Sequence, residues 1–305
     1  MLGRDPATAG IEVRSRIGYS PEHHDLPAEL TATDFVRHLA EMHLLPRRAA
    51  VQRANDALWL VGLGEERFRP VGLMLDVDTF VAALERFPEV RSIHWSVNDR
   101  PAEVTNLPTQ LLHGEDAIEE ELCGLRFRVR PNAFLQTNTA MAERLYELAR
   151  EFAQLTGEES VYDLYCGIGT IGLTLARDAL TVWGIEVSEE SVACALENAE
   201  LNGIVNAAFY AGEVGEAIDD LKERAGEPDV AVVDPPRAGL SGKALRRLAR
   251  LEPKRIVYVS CNPTTLAGNV KELAAEWGYG LVRARPVDMF PHTPHIETVA
   301  LLERV

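Results

Sequence analysis

The sequence predicts an α/β fold in which a mostly parallel sheet is covered by helices on both faces. Three observations predict it. From about Glu159 onward, short β-branched runs alternate with helical segments, the pattern of strand–helix–strand units. A glycine-rich turn, Gly167-x-Gly169-x-x-Gly172, follows the first of these runs and opens a helix, as dinucleotide and nucleoside sites do. Glu186 ends the next run, nineteen positions after Gly167, where a carboxylate can accept hydrogen bonds from ribose hydroxyls.

The elements follow in order. The first 72 residues are strongly helical in LTATDFVRHLAEMHLLPRRAAVQRANDALWLVGL, with an interruption near Pro46, because proline cannot continue a helix. Residues 73–135 carry strand-like SIHWSVND, PTQLLHG and LRFRVR, expected to form a smaller α+β unit. AMAERLYELAREFAQL has an apolar stripe at i, i+3, i+4 spacing and joins that unit to the sheet domain, 136–305. SVYDLY is a buried strand, IGLTLARDA a helix, TVWGIEV a strand, and EESVACALENAELNG a helix stopped at Asn-Gly. AAFYAG, DVAVVD and RIVYVS are further strands, and ALRRLARL and LAGNVKELAAEWG further helices. A closing hairpin, LVRARPVDMF to ETVALLERV, adds an antiparallel strand.

With 305 residues the chain is long enough for about two domains. It is 46% hydrophobic and 26% charged, which fits a globular protein and excludes a low-complexity one. No apolar run has the length of a membrane span and no leader pattern stands at the start, so no membrane partner is expected and the cytoplasm is the expected location. Cys123, Cys166, Cys194 and Cys261 are dispersed, without zinc or iron–sulfur spacing, so neither a metal nor an iron–sulfur cluster is expected. The net charge of −16 argues against non-specific binding of nucleic acid. Local clusters run the other way. Arg126, Arg128 and Arg130 alternate on one face of LRFRVR, and Arg246, Arg247, Arg250, Lys254 and Arg255 gather further on. Solvated surface is the competing reading of both.

The glycine turn suits a nicotinamide dinucleotide as well as S-adenosylmethionine, so a dehydrogenase stays open at this point. The later strand ends discriminate. VVDPPRAG places Asp234 and Arg237 after the fourth strand, and VSCNPTTL places Cys261 after the fifth. In an open α/β sheet these ends form the binding crevice. A hydride-transfer enzyme has no evident need of a cysteine there. MFPHTPHIETV supplies His292, His295 and Glu297 just before the last strand. If that strand is antiparallel, Glu297 reaches the same crevice. Cys261 could instead be a buried structural cysteine, and Glu297 a surface ion-pair partner. His292 and His295, without helical context, are weak evidence for a metal.

FLQTN, DLYCGIGTIGL, VVDPPRAGL, IVYVSCNPTTLA and MFPHTPHIETV occur in the order and spacing of the RNA uracil-C5 methyltransferases. Residues 73–305 resemble that family, close to its bacterial 23S ribosomal RNA members. The resemblance implies a Rossmann-like methyltransferase domain using S-adenosyl-L-methionine, with an RNA substrate, ribosomal or alternatively transfer RNA. It implies Cys261 as a nucleophile that adds to uracil C6, making C5 able to accept a methyl group, and Glu297 as the base that removes the C5 proton. Gln136, Tyr165, Glu186 and Asp234 match cofactor-contacting positions, and Thr170 and Glu213 match two further ones. Arg237 belongs to a substrate-orienting position. A target base inside folded RNA must be unstacked to expose C6, and Phe134, Tyr165 and Phe290 are candidate platforms. Many relatives carry an N-terminal β-barrel and a four-cysteine iron–sulfur cluster. This sequence shows neither pattern and only part of the central RNA-binding unit, 73–135.

Residues 1–72 resemble a different family. RSRIGYSPEHHDLPAELTATDFVRHLAEMHLLPRRAAVQRANDALWLVGLGEERFRPVG is similar to the helical stretch of an ABC-transporter ATPase, with Glu22 at the position of a Q-loop glutamine. The sequence has no G-x-x-x-x-G-K-[ST] loop, so the alternative of a nucleotide-binding module lacks a phosphate cradle. No catalytic role is expected of this segment.

Overall fold

The structure, a computed structural model, describes residues 30–42, 45–60, 63–68, 77–87, 90–96, 108–291, 293 and 295–305. Glu22 and His292 lie outside the described residues. The chain forms two compact units, residues 1–104 with 108–115, and 105–107 with 116–305.

The first unit contains helices α1 (Ala32–Met42) and α2 (Arg47–Leu60), a 3-10 turn (Gly64–Phe68), α3 (Val77–Leu84), and strands β1 (Ser92–Trp95) and β2 (Gln110–Gly114). Thr31 caps α1, accepting the Asp34 amide at 3.0 Å while its hydroxyl donates to the Asp34 carboxylate at 2.8 Å, which satisfies one of the free donors of the first turn. Pro46 sits directly before α2, and its carbonyl accepts the first helical bond from Ala50 at 2.9 Å. The interruption expected near Pro46 thus falls where proline is best tolerated, at a helix start. β1 and β2 pair antiparallel, Ser92 opposite Gly114.

The second unit is built on seven strands: β5 (Ser160–Leu164), β6 (Thr181–Glu186), β7 (Ala207–Ala211), β8 (Val230–Val233), β9 (Arg255–Ser260), β10 (Tyr279–Val287) and β11 (Glu297–Arg304). Their order is β10-β11-β9-β8-β5-β6-β7. β5 to β9 are mutually parallel, and β11 runs antiparallel between β9 and β10. A hairpin of β3 (Ile118–Leu122) and β4 (Leu125–Val129) precedes this sheet. The helices are α4 (Thr139–Ala153), α5 (Thr170–Leu175), α6 (Glu189–Leu201), α7 (Val214–Ala225), α8 (Gly242–Arg250) and α9 (Pro263–Trp277).

Strand alternation sorts the core into two layers. Val161, Val182, Val232, Val259 and Val299 point to the layer with Leu145 and Phe152 of α4. Tyr162, Leu164, Val233, Tyr258 and Ala300 point to the layer with α7, α8 and α9. Burial on both faces explains why β8 reads as the unbroken apolar run VAVV rather than as alternation. Among the described residues no helix is long and apolar enough to cross a membrane.

Two observations differ from the sequence reading. α7 was not expected. Its buried stripe, Val214, Ile218 and Leu221, has helical spacing, but Gly212, Gly215 and the polar run DDLKERAGE give that stretch the composition of a loop. The alternating arginines also differ from a cationic face. Arg128 pairs with Asp116 at 2.5 Å, Arg130 with Glu197 at 2.7 Å, and Arg126 approaches Glu119 at 3.9 Å. In the second cluster Arg247 meets Asp219 at 3.2 Å, Lys254 meets Asp229 at 2.8 Å and Arg255 meets Glu159 at 3.7 Å. Acids distant in sequence neutralise most of this charge.

Candidate active site

The chain passes from β5 outward through β6 and β7, then returns to β8 on the other side of β5. The carboxyl ends of β5 and β8 therefore flank the reversal point where doubly wound sheets bind ligands. Alternation brings Asp163, Glu186 and Asp234 to the same face as Val161, Val182 and Val232.

The glycine turn is held by its neighbours. Tyr165 adopts φ 69°, a left-handed conformation that costs a non-glycine residue roughly 1–2 kcal/mol. The Tyr165 and Cys166 amides both donate to the Ile185 carbonyl, at 2.9 and 3.1 Å, and fix that conformation. Gly169, at φ 83°, starts α5. Gly172 is required for space, since a Cβ there would lie 2.7 Å from an Asp163 carboxylate oxygen. The Gly172 amide donates to that same oxygen at 2.7 Å. Glu186 closes the turn, its carboxylate accepting Gly167 N–H at 3.2 Å and Ser188 N–H at 2.9 Å.

Asp163 was not singled out by sequence reasoning. It is fully buried, and its second oxygen has no partner. Burial pushes its pKa up to about 7 against the pull of the Gly172 amide, and Glu186 adds to the rise. The signal lay inside the motif, two residues before Tyr165, but its meaning depends on the contact with Gly172. Tyr146 of α4 was also missed. It is buried in hydrogen-bonding reach of Thr170 and close to Asp234, and burial raises its pKa. Tyr165, Glu186 and Glu213 lie near one another. Burial, then Glu213 and Glu186, push the Tyr165 hydroxyl up to about 12. Glu213 follows β7, exposed, at the head of α7.

The second half of the site is assembled around Arg237 and Cys261. Ser260 Oγ accepts the Asn262 amide at 3.1 Å and donates to the Asn262 carbonyl at 3.0 Å, which sets the turn containing Cys261. Asn262 caps α9 by accepting Thr264 N–H at 3.0 Å, and Pro263 occupies the first turn. The Asn262 side-chain Nδ2 and the Thr265 hydroxyl both donate to the Arg237 carbonyl, at 3.1 and 3.2 Å. The loop after β8 is thereby tied to the loop after β9. Thr298 pairs with Ser260 at the end of the β11–β9 ladder, and Glu297 and Cys261, the next residue on either side, lie close enough for Glu297 to raise the Cys261 pKa. The antiparallel geometry on which the reading of Glu297 depended is present.

Cys261 is a free, half-buried thiol. Its pKa is raised by burial, then by Glu297 and Asp234, with Arg237 opposing. Glu297 is buried, which raises its pKa, and Arg237 lowers it. Asp234 is pushed up to about 7 by burial, then by Glu297 and Asp163. Gln136 is buried between β4 and α4. Two residues on, Asn138 accepts Met141 N–H at 3.4 Å as the α4 cap and donates to the Met289 carbonyl at 2.9 Å. The FLQTN segment is thus pinned to the connection leading into Glu297. Phe134 and Phe290 are exposed. His295 is exposed, its amide donating to Thr293 at 3.3 Å. Among the described residues no cluster of His, Cys, Asp and Glu could hold a metal ion.

A glycine turn followed by a helix, a strand-end carboxylate and a mostly parallel sheet with one antiparallel strand define a Rossmann-like α/β protein. The family model described as tRNA (uracil-5-)-methyltransferase matches residues 108–305, and the chain belongs to that family. It is 49% identical over 222 residues to an uncharacterized RNA methyltransferase of Enterococcus faecalis, covering 72% of this chain and 48% of the relative. It is 46% identical over 225 residues to one of Porphyromonas gingivalis, covering 73% and 48%. Among solved structures it is similar to Pyrococcus abyssi tRNA (uracil-54, C5)-methyltransferase in complex with S-adenosyl-L-homocysteine, with TM-score 0.59 and 35% identity over 72% of this chain and 52% of that one. The chain spans about half the length of the curated relatives it matches.

Proposed function

We propose that this protein methylates carbon 5 of a uridine in RNA, with S-adenosyl-L-methionine as the methyl donor and Cys261 as the nucleophile. The observation that supports the reading is the closeness of Glu297 to Cys261, each one residue beyond the last pair, Thr298 with Ser260, of the β11–β9 ladder. The residues present fit the cofactor: Asp163 keeps a buried oxygen without a partner, and the Glu186 carboxylate ends its strand as an acceptor beside the glycine turn. Tyr165, Thr170, Glu186, Glu213, Asp234 and Gln136 would hold it. When bound, it supplies an electrophilic methyl group on a sulfonium.

Uracil C5 is a poor nucleophile, and the protein's task is to change that. The Cys261 thiolate bonds to C6, and the C5=C6 electron pair becomes an enolate able to take the methyl group at C5. Glu297 then removes the C5 proton, the C5=C6 bond reforms, and the sulfur–C6 bond breaks to return the thiolate. Arg237, fastened by Asn262 and Thr265, places a positive charge beside both reacting groups. The hairpin and the FLQTN segment act as the RNA-facing arm, and residues 1–72 take no part in catalysis.

Ribosomal RNA is the proposed target, on the motif spacing. A transfer RNA substrate is the second reading, supported by the family description and by the archaeal relative. Incubation with methyl-labelled cofactor and either a 23S ribosomal RNA or a transfer RNA transcript, followed by nucleoside analysis, tests both. The expected product is 5-methyluridine in ribosomal RNA. Label in transfer RNA alone selects the second reading, and label in neither removes both.

A further inference from the structure

Two asparagines of α6 hold the strand β4 as another strand would. Asn202 Oδ1 accepts Arg126 N–H at 2.9 Å, and its Nδ2 donates to the Arg126 carbonyl at 2.6 Å. One helical turn earlier, Asn198 Oδ1 accepts Arg128 N–H at 2.6 Å, and its Nδ2 donates to the Arg128 carbonyl at 3.3 Å. The four-residue spacing on the helix matches the two-residue spacing of same-facing backbone groups on β4. The two asparagines differ in their remaining donor. Asn202 spends it inside its own helix, on the Asn198 carbonyl at 2.8 Å. Asn198 spends it on the carbonyl of Ile168, at 3.2 Å, between the first two glycines of the cofactor turn. Asn198 is fully buried and its bond to Ile168 is made away from water, where leaving a partner unpaired is costly.

The same helix face continues the arrangement toward the RNA arm. Cys194 and Glu197 hold Arg130, at 3.6 and 2.7 Å, and Glu190 holds Asn132 at 2.9 Å. The chain beyond leads directly to Gln136. At its other end α6 begins at Ser188, whose amide rests on Glu186.

Resting on the function proposed above, we infer that Asn198 is a positioning residue that ties the cofactor turn to β4, the strand from which the chain runs on to Gln136, so that filling the turn steadies the RNA arm. No motif marks this role, and Asn202 supplies a built-in control. It makes the same strand-mimicking pair without the bond to the turn.

The wild-type protein gives the first test, by residue-resolved hydrogen exchange with and without S-adenosyl-L-homocysteine. The amide of Arg128, bound to Asn198, is expected to slow by about tenfold or more on ligand addition, and the amide of Arg126, bound to Asn202, to change less than twofold. Asn198→Ala and Asn202→Ala give the second. Both should lower the unfolding temperature, Asn198→Ala more than Asn202→Ala, as the pair of bonds that Asn202 makes to Arg126 is exposed. Only Asn198→Ala should raise the Kd for S-adenosyl-L-homocysteine and the KM for RNA, each about tenfold. Asn198→Asp, which keeps the acceptor for Arg128 and loses both donors, replaces the alanine form if that does not fold. Equal exchange responses at Arg126 and Arg128, or equal losses of affinity in the two variants, overturn the inference. Wild-type protein that binds no S-adenosyl-L-homocysteine at all overturns the proposed function instead.

Discussion

Glu297 lies close to Cys261, each one residue beyond the Thr298–Ser260 pair that ends the antiparallel contact of β11 with β9. Burial disfavours the thiolate most, the Glu297 and Asp234 carboxylates add to this, and Arg237 on the neighbouring loop opposes them. In the free protein the thiol therefore titrates above its ordinary range. Alkylation of Cys261 by iodoacetamide, followed on its own peptide by mass spectrometry, should still be accelerating at pH 9. Glu297→Gln removes a negative charge and should speed alkylation at pH 8 several-fold, and Arg237→Ala should slow it. A wild-type rate that levels off below pH 8 contradicts this.

Asp163 is buried with a pKa of about 7, above its ordinary value of 3.8. Between those values the folded protein keeps a proton that the unfolded chain has lost, so this group's contribution to stability falls as pH rises from about 4 to 7. The loss is on the order of 4 kcal/mol. Asp163→Asn removes the titration, so its stability relative to wild type should increase across that window. Chemical denaturation at pH 4.5 and pH 7.5 checks this, and a difference that shrinks with pH refutes it.

Gly172→Ala drives a methyl group to 2.7 Å from the Asp163 carboxylate and 3.1 Å from Val182. Overpacking at such a point costs about 1–3 kcal/mol, and it displaces the turn that Asp163 holds. The variant should lose several degrees of thermal stability and most of its affinity for S-adenosyl-L-homocysteine by calorimetry. Unchanged affinity would show that Asp163 and Gly172 do not shape the site.

Arg128 and Arg130 are committed to Asp116 and Glu197. Substituting either by alanine should leave the salt dependence of the KM for RNA unchanged, because a cation already paired with an acid releases few counterions from a phosphate chain. A slope reduced by about one per arginine would show that they reach phosphates.

The sheet and the mouth of the site were legible because strand ends carry their own chemistry in sequence. Gly167 to Gly172, Asp234 to Arg237 and Ser260 to Pro263 each combine a turn with a functional group, and the topology gathers them. What escaped the sequence depends on distant partners. The Arg128 and Arg130 stripe looks cationic until Asp116 and Glu197 fold against it. Asp163 acquires its raised pKa only under the packed sheet, beside Gly172. Asn198 reads as one polar residue of a helix, and its three bonds join segments 70 and 30 positions away. Helix α7 was missed for a local reason, since two glycines and a charged run masked its short apolar stripe.

The most direct measurement of the central claim uses RNA containing 5-fluorouridine, together with the cofactor. Fluorine at C5 cannot leave as a proton, so the sulfur–C6 bond cannot be released once methyl transfer is complete. The account predicts a denaturation-resistant protein–RNA adduct that maps to Cys261, forms with the wild-type protein and is absent with Cys261→Ala. An adduct mapping elsewhere, or methylation of normal RNA by Cys261→Ala at the wild-type rate, would contradict it.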